Sequence, residues 1–260
     1  MNIKYTDQIG KEIEINHPAK RIVSLVPSQT ELLFDLGLED EVVGLTKFCI
    51  HPENWFKNKT KIGGTKNPDV EKILSLEPDL IIANKEENME EHIIALEAKV
   101  PVWTSDVKNF DEALDMIQSV GAITGKTEKA KELVDVISTN FELIEKVDGK
   151  TAAYLIWRNP YMTVGGDTFI SDLITKVGFT NVFEKQHRYP QTIMEEIKNK
   201  KPNYLFLSSE PYPFKQEHID ELQQHLPNVK IMLIDGEKFS WYGSHMLKFG
   251  AYWNSLRPTL

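Results

Sequence analysis

The side chains best equipped for chemistry gather in KFCIHPENWF, residues 47 to 56, where Phe48, Cys49, His51, Trp55 and Phe56 share one short stretch. Three kinds of chemistry fit them. A thiol and an imidazole two residues apart make a nucleophile and its base if a turn brings them together. The imidazole alone offers an axial nitrogen to a metal already held in a macrocycle. The rings offer stacking surface to a flat ligand. A plainer reading stands beside these: Phe48 and Trp55 pack as local core, and Cys49 is a small buried hydrophobe.

A second group lies beyond residue 150. Trp157, Arg158 and Tyr161 follow the apolar run TAAYLIW, Arg188 adjoins Tyr189, Tyr212 and Phe214 lie in SSEPYPF, and FSWYGSH carries Trp241, Tyr242 and His245. Rings that stack and arginines that pair with polar edges suit a flat, partly apolar ligand with carboxylate or amide edges. Any one ring belongs more often to a core than to a cleft; their recurrence just after strands shifts the balance toward a binding surface. Direct ligation of a free metal has little behind it, because no HxxH, CxxC or HxxxH spacing occurs. GxSxG and P-loop motifs are also missing, so nothing supplies an activated nucleophile and the chain reads as a non-enzyme.

The elements that position these residues alternate strand and helix. Residues 2 to 15 read as a hairpin. RIVSLV is a continuous apolar run of the kind a doubly buried parallel strand shows. Pro27 ends it, Ser28 reads as an N-cap that is also counted among the ligand-binding candidates, and Glu31 completes a capping box before LLFDLGL. VVGLT is the next strand and delivers the 47 to 56 loop, and loops at the carboxyl ends of parallel strands are where α/β sheets bind ligands. NPDVEKILSLEPDLIIANK gives a helix, with Asp69 and Glu71 in its first turn, and then a strand; EEHIIALEA, VPVWTS and FDEALDMIQSVGAITG continue the alternation. After residue 149 the plan restarts with TAAYLIW, TFISDLITKVGF, NYLFLSS, HIDELQQHL and VKIMLID, and HMLKFGAYWNSL closes the chain as a helix.

Between the halves, KTEKAKELVDVISTNFELIEKV places Ala130, Leu133, Val134, Ile137, Phe141 and Ile144 on one helical face. One helix over Lys126 to Val147 would span about 30 Å. The halves also resemble each other. VEKILSLEPDL and MEEIKNKKPNY align without a gap at an offset of 124 residues, matching Glu71 with Glu195, Ile73 with Ile197 and Pro78 with Pro202. Either acid is explained by its place in a helix's first turn, for Glu195 in a capping box with Thr192. As a pair, they would also present two equivalent negative points to a two-fold partner with basic sockets.

Composition narrows the function. A net charge of −9 and a pI near 5.4 speak against a general nucleic-acid binder. Hydrophobic residues at 41% and charged residues at 27% are globular values, and no run of 18 apolar residues suggests membrane insertion. Cys49 is the only cysteine, so no internal disulfide forms. NIKYTDQIGKEIEI after Met1 lacks the apolar core of an export signal, so the chain as written reads as cytoplasmic.

RIVSLVPSQTELLFDLGL with the following FCIHP, together with DVEKILSLEPDLI, resembles the substrate-binding proteins of ABC importers for vitamin B12, ferric siderophores and haem. The resemblance covers nearly the whole chain and implies two Rossmann-like α/β lobes with parallel sheets (1–125 and 149–260) joined by one long rigid helix (126–148). It implies a ligand cleft between the lobes, no catalysis and no intrinsic cofactor. The ligand would be a corrinoid, ferric siderophore or haem, the partner an ABC permease, and the place of work the periplasm or cell surface. A monomer is expected. Glu71 and Glu195 fall on the acids that meet permease arginines in the vitamin B12-binding members. Phe48, Tyr189 and Met162 fall on their aromatic contact positions, with Trp241 near another; Thr65 and Asn84 replace tryptophans there. Ser28, His51, Trp157, Arg158, Arg188, Tyr212 and Tyr242 complete the ligand candidates, and His51, or else His245, is the candidate axial ligand. A cytosolic enzyme, a cobalamin-pathway protein or a scaffold with the same cleft is the alternative.

Overall fold

The computed structural model describes residues 1–260. The chain divides into two compact units, the first comprising residues 1–107, 111–139 and 242–247 and the second 108–110, 140–241 and 248–260.

The first unit opens on an antiparallel hairpin, β1 (Asn2–Thr6) with β2 (Glu12–Asn16), in which Tyr5 faces Ile13. Its main sheet is built from β3 (Ile22–Ser24), β4 (Val42–Leu45), β5 (Thr60–Lys61), β6 (Leu80–Asn84) and β7 (Val102–Ser105) in the order β5-β4-β3-β6-β7, every pair parallel. β3 and β6 are buried at every residue, as the unbroken apolar runs demand of strands covered on both faces. Val23, Leu25, Ile73, Ile81, Leu96 and Val102 form one core between this sheet and its helices. Those helices are α1 (Pro27–Asp35), α2 (Glu53–Asn58), α3 (Val70–Ser75), α4 (Glu90–Glu97), α5 (Phe110–Ile123) and α6 (Thr127–Glu142).

Bonding partners, near and distant, override the sequence expectation at three of these helices. At α1, Pro27 takes the first helical position, which its fixed φ suits, and Val26 becomes the cap. Ser28 is therefore a buried first-turn residue, not the N-cap, and Glu31 turns to His245 instead of closing a box. At α3, Asp69 is the cap itself, accepting the Lys72 N–H at 3.0 Å. α6 stops at Glu142, 16 residues and about 24 Å long. Beyond it, the Glu145 carbonyl accepts the Trp253 indole N–H at 2.9 Å and the Val147 N–H goes to the Val177 carbonyl, so tertiary partners take the groups a longer helix would need.

The second unit's sheet contains β8 (Lys150–Trp157), β9 (Tyr161–Thr163), β10 (Phe179–Asn181), β11 (Gln191–Thr192), β12 (Tyr204–Ser208) and β13 (Lys230–Ile234). β10, β12 and β13 run parallel with β8 at its centre, while β9 and β11 add an antiparallel flank in the order β11-β9-β8-β12-β13. The helices are α7 (Phe169–Lys176), α8 (Met194–Lys200), α9 (Gln216–His225), α10 (Gly236–Ser240) and α11 (Phe249–Leu256). Ala153, Leu155, Phe183, Ile197, Leu205 and Leu207 make its core.

The internal repeat holds in three dimensions at the same offset of 124. α3 starts at Val70 and α8 at Met194; β6 spans Leu80–Asn84 and β12 Tyr204–Ser208. Glu77 and Lys201 both turn left-handed, at φ 49° and 48°, immediately before Pro78 and Pro202. The Asp79 N–H donates to Arg21 O at 2.9 Å and the Asn203 N–H to Thr151 O at 3.0 Å. The expected Thr192–Glu195 box does not form: α8 is capped by Ile193, which shifts the third helical position to Glu196, and the Thr192 hydroxyl donates to Glu196 Oε2 at 2.8 Å.

Candidate functional site

In the first unit the carboxyl ends of β3, β4 and β6 carry a sealed polar network. Thr30 Oγ1 lies 2.7 Å from Ser24 Oγ and 3.1 Å from Cys49 Sγ, and Thr46 Oγ1 lies 3.1 Å from the same sulfur. Gln29 Nε2 and Asn84 Nδ2 both donate to Ser105 Oγ, at 2.5 and 3.0 Å. Asn84 Oδ1 accepts the Glu86 and Glu87 N–H groups, which fixes the loop after β6. This buried layer is a floor, and residues 47 to 56 divide between it and the surface. Cys49 belongs to the floor: burial pushes its thiol up in pKa and the two hydroxyls only partly oppose that, the reverse of what a nucleophile needs. Trp55 is core too, its indole N–H donating to Glu39 Oε2 at 2.6 Å. Phe48, by contrast, is 51% exposed on top of the floor.

His51 is half-buried, with its ring centroid 6.4 Å from that of His245. His245 is 2% exposed and its Nδ1 lies 2.6 Å from Glu31 Oε2. That pair holds the segment 242–247 against α1, where Gly243, at φ 90°, packs on Leu32 and the Ser28 carbonyl. Of the two imidazoles, that of His51 is the more open to solvent. Tyr242 is buried in the same segment. Glu87, in the loop after β6, is open to solvent at its surface, and desolvation by its close neighbours raises its pKa, with Lys66 opposing.

In the second unit, Trp157 at the carboxyl end of β8 is 39% exposed and meets Tyr212 edge-on at 5.7 Å. Tyr212 in turn contacts Phe214 at 4.8 Å, and its hydroxyl lies 3.2 Å from His218 Nε2. Arg158 is committed within this cluster: the Tyr212 hydroxyl and the Glu221 carboxylate, 2.6 Å from Nη2, hold it in its charged form. Met162 lies in β9 opposite Gln191, and Arg188 and Tyr189 lead into β11. The connecting loop is pinned by Gly165 N–H to Arg188 O at 2.8 Å and by Gly166 N–H to Gln186 O at 3.0 Å. A Cβ on Gly165 would strike the Gln186 carbonyl and one on Gly166 the Glu184 carbonyl, so the double glycine is the sequence signal for this close approach. Arg188 is left-handed, its N–H donating to Asp167 Oδ1 at 2.6 Å. Burial would raise Asp167, but bonds from Arg188 N–H and His187 outweigh it and keep the carboxyl below its usual range. Trp241 donates its indole N–H to Glu210 Oε1 at 3.0 Å.

Glu71 and Glu195 are both exposed, each at the second position of its helix. No group of three or more His, Cys, Asp or Glu side chains is arranged to hold a metal ion, and no helix is long and apolar enough to cross a membrane.

The periplasmic binding protein family matches residues 22–230, which takes in both sheets from β3 to the start of β13. The chain belongs to that family. Among its relatives is an uncharacterized ABC transporter substrate-binding lipoprotein of Bacillus subtilis, 30% identical over 212 residues, covering 76% of this chain and 67% of the relative. A vitamin B12-binding protein of Vibrio campbellii is 27% identical over 199 residues, covering 74% and 72%. The petrobactin-binding protein of Bacillus subtilis superposes with a TM-score of 0.81 over 98% of both chains at 19% identity, a likeness of fold. Membership of the periplasmic binding protein family makes the chain a substrate-binding protein. The family's name and the lipoprotein name of its relative point outside the cytoplasm and lend nothing to the cytoplasmic expectation.

Proposed function

We propose that this periplasmic binding protein captures a metal chelate, whether corrinoid, ferric siderophore or haem, outside the cytoplasmic membrane and delivers it as a monomer to an ABC permease. The chelate is cargo, not a cofactor, and no catalysis is involved. One observation carries the reading. Each unit sets an exposed ring at or just past the carboxyl end of a parallel strand of its sheet, Phe48 in the loop after β4 and Trp157 as the last residue of β8. Exposed rings on a rigid base are what a flat ligand requires. Met162, Arg188, Tyr189, Tyr212 and Trp241 supplement them, with His51 as the side chain that reaches a metal. The name of the Vibrio campbellii relative, a vitamin B12-binding protein, supports this class of ligand, and that of the Bacillus subtilis lipoprotein supports an ABC transporter as the destination.

Glu71 and Glu195 form the docking points. Each is an exposed carboxylate on a repeated block, which suits a two-fold partner with arginine sockets. Titration of tryptophan fluorescence with cyanocobalamin, haem and ferric siderophores tests the proposal. Saturable quenching by one chelate class is expected, since Trp157 stands at the binding surface. A flat response to all three would contradict it.

A further inference from the structure

The surroundings of Phe48 carry a charge pattern that narrows the ligand. Lys47 Nζ lies 5.2 Å from the Phe48 ring centroid. The Lys47 N–H donates to Gly63 O at 2.9 Å, and in the β4–β5 register Leu45 stands opposite Lys61, so both lysines occupy the carboxyl ends of neighbouring strands. Gly64 completes the setting, with space for a Cβ only 3.2 Å from Phe48 Cε2 and 3.6 Å from Lys47 Cε. Lys66 follows, its ammonium held by the Glu86 carbonyl.

Two of these ammonium groups, those of Lys47 and Lys61, have no carboxylate partner. In a chain of net charge −9, Lys4, Lys11, Lys57 and Lys85 all sit within 3 Å of a carboxylate. Lys47 and Lys61 have no carboxylate within 4 Å; Lys61 has the Lys59 carbonyl at 2.7 Å and the face of Phe56 at 5.0 Å. Partial burial of Lys61 lowers its pKa, the mark of an ammonium that has lost water without gaining an anion.

We infer that the ligand is an anionic aromatic metal chelate, its ring on Phe48 and its carboxylate or phenolate oxygens on Lys47 and Lys61. A corrinoid offers amide edges around its ring and a single phosphodiester set away from it, which leaves at least one ammonium without an anion, whereas each ring carboxylate or phenolate oxygen forms a charge-assisted hydrogen bond. The inference rests on the receptor reading above and chooses among its ligands.

The test titrates the full chain and its Lys47→Gln/Lys61→Gln variant with three probes: haem, the ferric complex of 2,3-dihydroxybenzoate, and cyanocobalamin. Both lysines project from the surface layer, and circular dichroism checks that the variant folds. One anionic probe should bind at least about tenfold more tightly than cyanocobalamin, and which one does so names carboxylate or phenolate as the source. The double variant should lose about tenfold or more for that probe, with a shallower salt dependence. Cyanocobalamin as the tightest ligand would overturn the inference and leave the receptor reading standing. An unchanged affinity and salt slope in the variant would overturn it as well. Silence from all three probes would overturn the receptor reading and this inference with it.

Discussion

The block from Val70 to Asn84 and its counterpart from Met194 to Ser208 agree position by position, whereas the loops at the carboxyl ends of the same sheets share almost nothing. In the first unit those loops rise from an all-parallel sheet and expose Phe48 among lysines. In the second, an antiparallel flank of β9 and β11 carries Met162, Arg188 and Tyr189, and the exposed ring is Trp157. The difference teaches where the fold is constrained. In the proposed reading, the repeated helix, left-handed turn and buried strand present the same carboxylate twice to a permease, and the dissimilar loops suit one asymmetric ligand.

The equivalence can be broken or sharpened at three pairs of positions. Ile73 and Ile197 are fully buried in their respective cores. Ile73→Ala and Ile197→Ala should each cost about 3 kcal/mol in urea unfolding, and a loss below about 1 kcal/mol at either would break the match. The caps should separate the blocks. Asp69→Ala removes a cap bond and should cost about 1 kcal/mol, while Ile193→Ala, at the equivalent cap with no side-chain bond, should stay within about 0.5 kcal/mol. The smallest effect is expected at the turns. Glu77→Gly and Lys201→Gly should each stabilise by about 0.5 kcal/mol, because glycine adopts the left-handed conformation without the steric cost of a Cβ. Destabilisation at one turn only would show that its side chain does something its counterpart's does not.

Much of this architecture is written in apolar runs. RIVSLV, DLIIA, TAAYLIW and NYLFLSS all became strands, and the offset between Glu71 and Glu195 proved to be the offset between whole elements. What escaped was decided by partners distant in sequence. α6 ends at Glu142 because Trp253 and Val177 claim the next backbone groups, and Glu31 left its expected box for His245, 214 residues away. At α8, a one-residue difference in where the helix begins passed the Thr192 bond from Glu195 to Glu196. The site was legible in kind more than in detail. Phe48 and Trp157 are exposed as a ligand surface needs, yet Trp55, Cys49, Tyr242 and His245, equally suggestive by type, are core. Residue type does not say which side of a loop faces water. Lys47 adjoins Phe48 in the sequence, but its nearness to the strand that carries Lys61 comes only from the β4–β5 register, and Gly165–Gly166 is the sequence sign of the loop that carries Arg188.

The account turns on a division of labour: the repeated blocks meet the permease, and the dissimilar loops hold the chelate. The Glu71→Arg/Glu195→Arg variant measures it directly, by comparing ligand affinity from fluorescence titration with stimulation of the reconstituted permease's ATPase. Affinity within about twofold of the original, together with lost stimulation, is the predicted result. Weakened ligand binding with stimulation intact would contradict it.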